Sequence, residues 1–295
     1  MEYLLHVFVL VCIYAVLTAS LDILAGRTGL LSIAQAAFYG VGAYASALLA
    51  VRLGAPFLLT VLAGMVMAIV ISLVVSLPSL RLQDDYFVVA TFAFQMIVFS
   101  IFTNWMELTR GPLGIAGIPQ PVIFGWHVNN HADFMLLAAG SACCAYVTVH
   151  RIARSPYGRV LHAIREDEVL ARAVGKNTLY FKVTVFAVSA ALAAMAGSLY
   201  AHYITYIDPT NFTVMESILV LSMVIIGGAG SMWGPLVGAA VLVILPEALR
   251  FVGLPSSVAA NIRQILYGGL LVVFMILRPR GLMGKYAFGK GGTGK

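Results

Sequence analysis

Two histidines four residues apart, His127 and His131, stand just before Asp133 in the stretch GWHVNNHAD. On a helix that spacing puts both imidazoles on one face, where they could share a metal ion. No further ligand stands at a suitable spacing and no glutamate is placed as a base, so the stretch reads as a surface loop. The C-terminal GKGGTGK offers a second candidate chemistry. Gly289, Gly294 and Lys295 occupy the first, sixth and seventh places of the phosphate-binding pattern G-x-x-x-x-G-K-[ST]. The eighth-place Ser or Thr is missing, no strand leads into the glycines, and no helix N-terminus follows to receive phosphate. A flexible basic tail over 279–295 is the expectation instead. Cys12, Cys143 and Cys144 lie in apolar runs without ligand spacing. There is no G-x-S-x-G, no H-E-x-x-H and no plausible triad. The chain is expected to be no enzyme, with no catalytic residue, cofactor or metal of its own.

Polar groups within apolar stretches say more. An ionisable side chain at the centre of a membrane helix costs about 2.5–3.5 kcal/mol on insertion scales, so it turns toward protein or a wet cavity. Asp22, Glu216 and Glu247 are such acids. Gln35, Tyr39, Thr91 and Gln95 add neutral hydrogen-bonding groups. No chain of carboxylates and histidines of the proton-relay kind accompanies them. A modest polar lining suits a neutral or zwitterionic solute with an apolar side chain, and Gln35, Tyr39, Thr91, Gln95 and Glu216 are the candidate path residues. The competing reading is that each ties two helices together. Glu247 and Arg250, near a predicted helix end, read as snorkelling or capping groups.

Positioning these groups requires membrane helices. The 295 residues are 61% hydrophobic and 10% charged, with a mean hydropathy of +0.96. A soluble domain of this size needs far more charge to cover its surface. About 20 apolar residues cross about 30 Å of hydrocarbon. Nine candidate spans result: 3–25, 29–51, 57–77, 87–103, 132–150, 180–204, 213–227, 233–250 and 261–277. No period of two runs through them, which argues against a β-barrel. The N-terminal stretch lacks a basic leader and reads as a retained span. A re-entrant segment near Gly26–Gln35 would lower the count by one. The expected fold is an all-α polytopic bundle of about 8–10 transmembrane helices, a single transmembrane domain over 1–295.

The net charge of +6 does not mark a nucleic-acid binder, because 12 of 18 Lys/Arg sit in two places, 151–182 and the tail after Leu277. Basic residues in short loops mark the cytoplasmic side. The four later spans return the tail to the side of 151–182, so the two clusters agree, and the N-terminus falls outside. Loop 104–121, NWMELTRGPLGIAGIPQP, carries Gly and Pro every few residues and is expected to be an ordered, non-helical external turn. Residues 226–235, IGGAGSMWGP, form a second break, with Pro235 in the first turn of the next helix. The pairs Gly26/Gly29 and Gly227/Gly230 repeat one short pattern, too little to establish an internal repeat. Ala193, Gly197 and Ala201, Gly234 and Gly238, and Ala36 and Gly40 stand at the spacing of close helix packing.

The island 151–182, RIARSPYGRVLHAIREDEVLARAVGKNTLYFK, is the one long polar stretch between spans. Ser155 and Pro156 make an N-cap and first-turn pair. Val160, Ile164, Ala171 and Val174 fall on one helical face, and Asp167 lands on that same face. A single amphipathic helix does not tolerate that. Two short helices hinged near Glu166–Glu168, with Gly175 ending the second, resolve it. A helix lying on anionic lipid is the rival, but Glu166, Asp167 and Glu168 would be repelled by the headgroups. Docking to a protein is the preferred reading.

Five stretches resemble the integral-membrane permease subunit of branched-chain amino acid ABC importers, the LivM-like family. They are GRTGLLSIAQAAFYGVGAYASALL (26–49), LRLQDDYFVVATFAFQMIV (80–98), NWMELTRGPLGIAGIP (104–119), SPYGRVLHAIREDEVLARAVGKNTLYFKVTVFAVSAALAAMAGSLYA (155–201) and MVIIGGAGSMWGPLVGAAVLVILPEALR (223–250). They cover about half the chain in the family's order, and the fourth is the most specific. The chain departs from the family at Ala34-Gln35, where Gly-His or Gly-Gln is usual, and Gln95 stands where an acid or other polar residue is often found. The resemblance implies a subunit of the bacterial inner membrane, bathed in lipid. It would form a path for branched-chain or other apolar amino acids with a sister, LivH-like permease. Two cytoplasmic ABC ATPase subunits would drive it and a periplasmic amino-acid-binding protein would feed it. It implies that 155–175 is the segment docking on an ATPase, with Tyr157, Gly158, Arg159, Arg165, Glu166, Asp167, Glu168 and Gly175 as coupling residues. Relatives for urea or short-chain amides, and a stand-alone secondary transporter, are the alternatives.

Overall fold

A computed structural model describes residues 2–80, 84–123, 126–128, 130–250, 268–269, 272–273 and 281–283. Among these, the long helices are α1 (Glu2–Thr28), α2 (Gln35–Leu53), α3 (Phe57–Ser79) and α4 (Asp84–Asn104). A single turn, α5 (Met106–Thr109), precedes α6 (His131–Arg154). The polar island forms α7 (Pro156–Glu166) and α8 (Glu168–Ala173), followed by α9 (Thr178–Ile204), α10 (Val214–Gly227) and α11 (Gly234–Arg250). Six of the described helices are long and apolar enough to cross a membrane, and α10 and the apolar part of α11, 234–245, are shorter. The chain is an all-α polytopic bundle. Most of the span expected at 261–277 and most of the basic tail lie outside the described residues, as do the glycines of the phosphate-like pattern.

The span expected over 29–51 begins late, at Gln35, because Gly29 ends α1 with φ of 76° and residues 29–34 are not helical. The Gln35 side chain donates to Ser20 Oγ at 2.9 Å. Ser20 lies about 12 Å up α1 from its end at 1.5 Å per residue. The segment therefore turns back into the bundle before α2 starts, and α1 and α2 still run in opposite senses.

Small residues set the helix spacing. A Cβ on Gly197 in α9 would lie 1.9 Å from the Tyr39 carbonyl oxygen of α2, and one on Gly238 in α11 would lie 1.9 Å from that of Met223 in α10. The seams read in the sequence are thus packing surfaces where backbones nearly touch. The core runs from Ile13, Leu17 and Leu21 of α1 through Phe38 and Phe186 to Leu199, all buried. α3, by contrast, exposes Leu59, Leu62, Val66, Val70 and Val74, the outward face of a membrane helix.

The polar island and the 281–283 segment share one end of the bundle. At one end, Arg165 donates to the Gly26 carbonyl at the close of α1. The 281–283 segment joins that end, Leu282 and Met283 N–H donating to the Ile226 and Gly227 carbonyls at 2.8 and 3.0 Å. At the other end, strand β1 (Ile115–Ala116) pairs antiparallel with β4 (Tyr206–Ile207), and β2 (Val122–Ile123) pairs with β3 (Trp126–His127). The loop expected to be free of helix does hold α5. That turn forms in the part lacking Gly and Pro, and Arg110 and Gly111 end it with φ of 60° and 54°.

Candidate functional site

The non-helical backbone at 29–34 and the first turn of α2 leave N–H groups without helical partners, and several of them are met by side chains. Ile33 N–H donates to Thr91 Oγ1 at 3.2 Å, and Ala34 N–H to Ser32 Oγ at 3.2 Å. Ala36 N–H donates to Ser217 Oγ at 2.9 Å, and Ala37 N–H to Gln95 Oε1 at 2.6 Å. Gln95 Nε2 in turn donates to the Phe212 carbonyl at 2.9 Å, and Ser217 Oγ to Gln95 Oε1 at 3.3 Å. Gln95 is the hub: one side chain of α4 closes the open start of α2 and holds the approach to α10. Gln35 Nε2 reaches Ser20 and Ser189, tying α1, α2 and α9 together. Gln35, Thr91 and Gln95 are all buried and spend these groups on protein.

Tyr39 and Glu216 adjoin this junction. The Tyr39 ring lies 5.3 Å from Phe212 and 5.5 Å from Tyr200. Glu216, half-buried in the first turn of α10, accepts from the Tyr14 hydroxyl at 2.5 Å. The structure thus brings the five candidate path residues into two adjoining groups. Asp22 is elsewhere: it is 2% exposed and its Oδ1 accepts the Gly230 N–H at 2.6 Å. That bond holds the α10–α11 break against α1, where a Cβ on Gly26 would lie 2.5 Å from Gly230 N. The two short glycine patterns are therefore direct neighbours.

The coupling candidates form the second region. α7 starts where Ser155 Oγ accepts the Gly158 N–H at 3.2 Å. Asp167, extended at φ −156° and ψ 105°, separates α7 from α8 and caps α8 by accepting the Leu170 N–H at 2.9 Å. Gly175 follows with φ of 81°. This is the bent pair that Asp167 demands, since a carboxylate that breaks an apolar stripe can instead cap the next helix.

Three of the candidate side chains hold this pair to the bundle. Tyr157 donates to the Phe181 carbonyl at 3.1 Å, contacts Thr184 Oγ1, and lies 5.0 Å ring to ring from Phe181. Arg165 reaches the end of α1. Glu168 accepts from both Arg172 and Lys182 at 2.6 Å, with Lys182 buried. Burial opposes ionisation of Glu168, but hydrogen bonds from Lys182, Thr178 and Arg172 outweigh it and hold the carboxyl below its ordinary 4.5. Gly158 is buried against α6, where a Cβ would lie 2.4 Å from the Ile152 carbonyl oxygen. Arg159 and Glu166 are exposed.

Leu161 and Ile164 are the anchors toward the bundle, at 0% and 3% exposure. Leu161 was not distinguishable from its neighbours by periodicity. Val174, expected on the same face, is 71% exposed because the bend turns α8 away. Between the two helices lies a groove of about 490 Å³, floored by Val160, Ala163, Leu170 and Val174. Arg159, Glu166, Asp167 and Lys176 rim it.

The remaining candidates separate. His127 lies in β3 and His131 opens α6, so the helical spacing that would suit a shared metal does not form. Sequence reasoning passed over His202, which is buried and bonds Ser46 Oγ at 3.0 Å, Thr60 Oγ1 at 3.3 Å and the Pro119 carbonyl at 2.8 Å. It also passed over Ser20, Ser189 and Ser217. Their only signal was a hydroxyl in an apolar run, which a helix can satisfy from its own carbonyls.

Residues 3–275 match the family model described as a branched-chain amino acid transport system permease component. The chain is 33% identical to the high-affinity branched-chain amino acid transport system permease protein LivM of Escherichia coli K12, over 93% of this chain and 68% of that protein. LivM of Salmonella typhimurium is 34% identical, over 92% of this chain and 68% of its own length. LivH of Escherichia coli K12 is 25% identical, over 92% and 91%.

Proposed function

Because the chain belongs to the permease-component family of branched-chain amino acid transport systems, we propose that it is the LivM-type membrane subunit of an ATP-driven amino acid importer. It works in the inner membrane beside a LivH-type sister permease, with two cytoplasmic ATPase subunits and a periplasmic binding protein. The α7–α8 pair is the observation that carries the coupling part of this reading. It is a bent helical pair outside the spans, with an open apolar groove rimmed by charge and firm attachments to α1 and α9. A partner that fills the groove can pull through Arg165 and Lys182 on two core helices at once.

Only contacts that differ between two states can drive a switch. In this mechanism ATP closes the ATPase subunits, the α7–α8 pair follows, and Arg165 and Glu168 pass the displacement to the base of α1 and the start of α9. Those helices border the Gln35–Gln95 junction, so the start of α2 is the element the movement reaches. Gln35, Tyr39, Thr91, Gln95 and Glu216 then line or gate the path. Hydrolysis takes place in the partners.

The test is reconstitution with the genomic neighbours and measurement of leucine-stimulated ATP hydrolysis, with urea and short-chain amides as comparison. Leucine should stimulate and the ATPases should co-purify. Stimulation by urea but not leucine would move the chain to the amide carriers. Solute uptake by this chain alone, driven by an ion gradient, would sink the importer reading.

A further inference from the structure

Glu216 differs from Asp22, the buried acid of α1. Asp22 has the Gly230 N–H and the nearby charges of Arg27 and Arg165. Glu216 has the Tyr14 hydroxyl at 2.5 Å, and among the described residues no cation pairs with it. The local pattern Thr213-x-x-Glu216 has the form of a helix capping box. That role is not taken up. The Thr213 side chain makes no cap hydrogen bond, and the Glu216 carboxylate is engaged across the bundle by α1. An acid without a cation does not face hydrocarbon, so this side of α1 and α10 faces protein or water.

Tyr39 belongs to the same neighbourhood: it is 1% exposed, and among the described residues its hydroxyl has no hydrogen-bond partner. It lies in the electrostatic field of Tyr200, Tyr14 and Glu216. Tyr200 in turn feels both Glu216 and Asp208, the latter beside β4 at the outer end. A carboxylate, an idle buried hydroxyl and aromatic faces make a site for an organic cation. The carboxylate offers a charge-assisted hydrogen bond, the phenol oxygen accepts another, and the rings attract positive charge.

We propose that Glu216, with Tyr14 and the Tyr39 hydroxyl, holds the α-ammonium group of the transported amino acid within this subunit. The proposal rests on the permease reading above and adds which group of the solute is recognised, and by what. The apolar side chain of the solute then meets the exposed Met215 and Ile218 or the sister subunit.

The assembled transporter in lipid vesicles is treated with a hydrophobic carbodiimide, and modification of Glu216 is read by peptide mass spectrometry. Leucine and 3-methylbutylamine, which keeps the ammonium and lacks the carboxylate, should each slow labelling by about tenfold at saturation. The acid 4-methylpentanoate, which lacks the ammonium, should leave it unchanged. Equal protection by acid and amine, no protection by either, or a Glu216 that never labels overturns the proposal. As a second measurement, Glu216→Gln should keep its partners on co-purification and lose about tenfold or more in leucine uptake. Glu216→Asp should retain more of it. Wild-type uptake by the Gln variant also overturns the proposal. Vesicles of the wild-type assembly that move leucine while Glu216 fails these tests leave the permease reading intact. Vesicles that move no amino acid sink both.

Discussion

The α7–α8 pair and the junction at the start of α2 solve the same problem in opposite media. Each is a break between helices that leaves backbone N–H groups open. In the polar pair, neighbours in sequence close the gaps: Ser155 caps α7, Asp167 caps α8 and Asn177 caps α9, each across three residues. At the junction, partners come from 58 to 181 residues away, through Thr91, Gln95 and Ser217. Water can stand in for a lost cap in the first case and not in the second. The polar pair should therefore tolerate the loss of a cap, while the junction keeps its bonds and is displaced only together with the helices it joins.

Gln95→Leu should mark this contrast most strongly. It strips partners from the Ala37 N–H, the Phe212 carbonyl and the Ser217 hydroxyl together. A loss of about 3 kcal/mol or more is expected, from groups costing about 1–3 kcal/mol each. Unfolding in detergent measures it, and a loss below about 1 kcal/mol would mean that water reaches the junction. Gly197→Ala comes next, because its Cβ meets Tyr39 backbone rather than a movable side chain. Overpacking of this kind costs about 1–3 kcal/mol, and the same assay reads it.

Lys182→Met removes the buried partner of Glu168. It should loosen α8 locally by about 1 kcal/mol, seen as faster hydrogen exchange over α8 with little change in α1. The same contact predicts a pH dependence. Glu168 has a folded-state pKa below the ordinary 4.5, so its contribution is complete above that value and is lost as pH falls through the lowered one. The protection of α8, exchange corrected for the pH dependence of the intrinsic amide rate, should be constant from neutral pH down to about 5 and fall only below. A loss of protection near pH 6 would contradict the pairing. Glu166→Ala should be smallest in stability, within about 0.5 kcal/mol, because Glu166 is exposed and its ion pair among the described residues is a long one, to His162 at 3.7 Å. Its effect belongs in the assembled transporter, as lost leucine-stimulated ATP hydrolysis at unchanged membrane insertion. Normal coupling in that variant would remove Glu166 from the docking face.

Legibility followed the same divide. Asp167 on an apolar face was enough to demand a bend, because a local carboxylate has few other uses between two helical turns. Gly175 marked the end of α8 for the same local reason. The junction was legible only as residue types: Gln35, Thr91 and Gln95 stood out as polar groups in apolar runs. Their partners Ser20, Ser189 and Ser217 did not, since a serine hydroxyl in a membrane helix can bond its own preceding turn. Val174 misled because a helical-wheel argument assumes one axis through 156–174, and the axis changes at Asp167.

The sequence by itself determined that this is a membrane bundle and where most of its helices lie. Those properties follow from transfer energies summed over about 20 residues, which need no neighbour. Tertiary structure decided where α2 begins, which carbonyls Gly197 and Gly238 touch, and that Tyr14 of α1 meets Glu216 of α10. Each of these depends on a partner distant in sequence. Hydrogen bonding and close packing act only at contact, and no local pattern encodes who the contact will be.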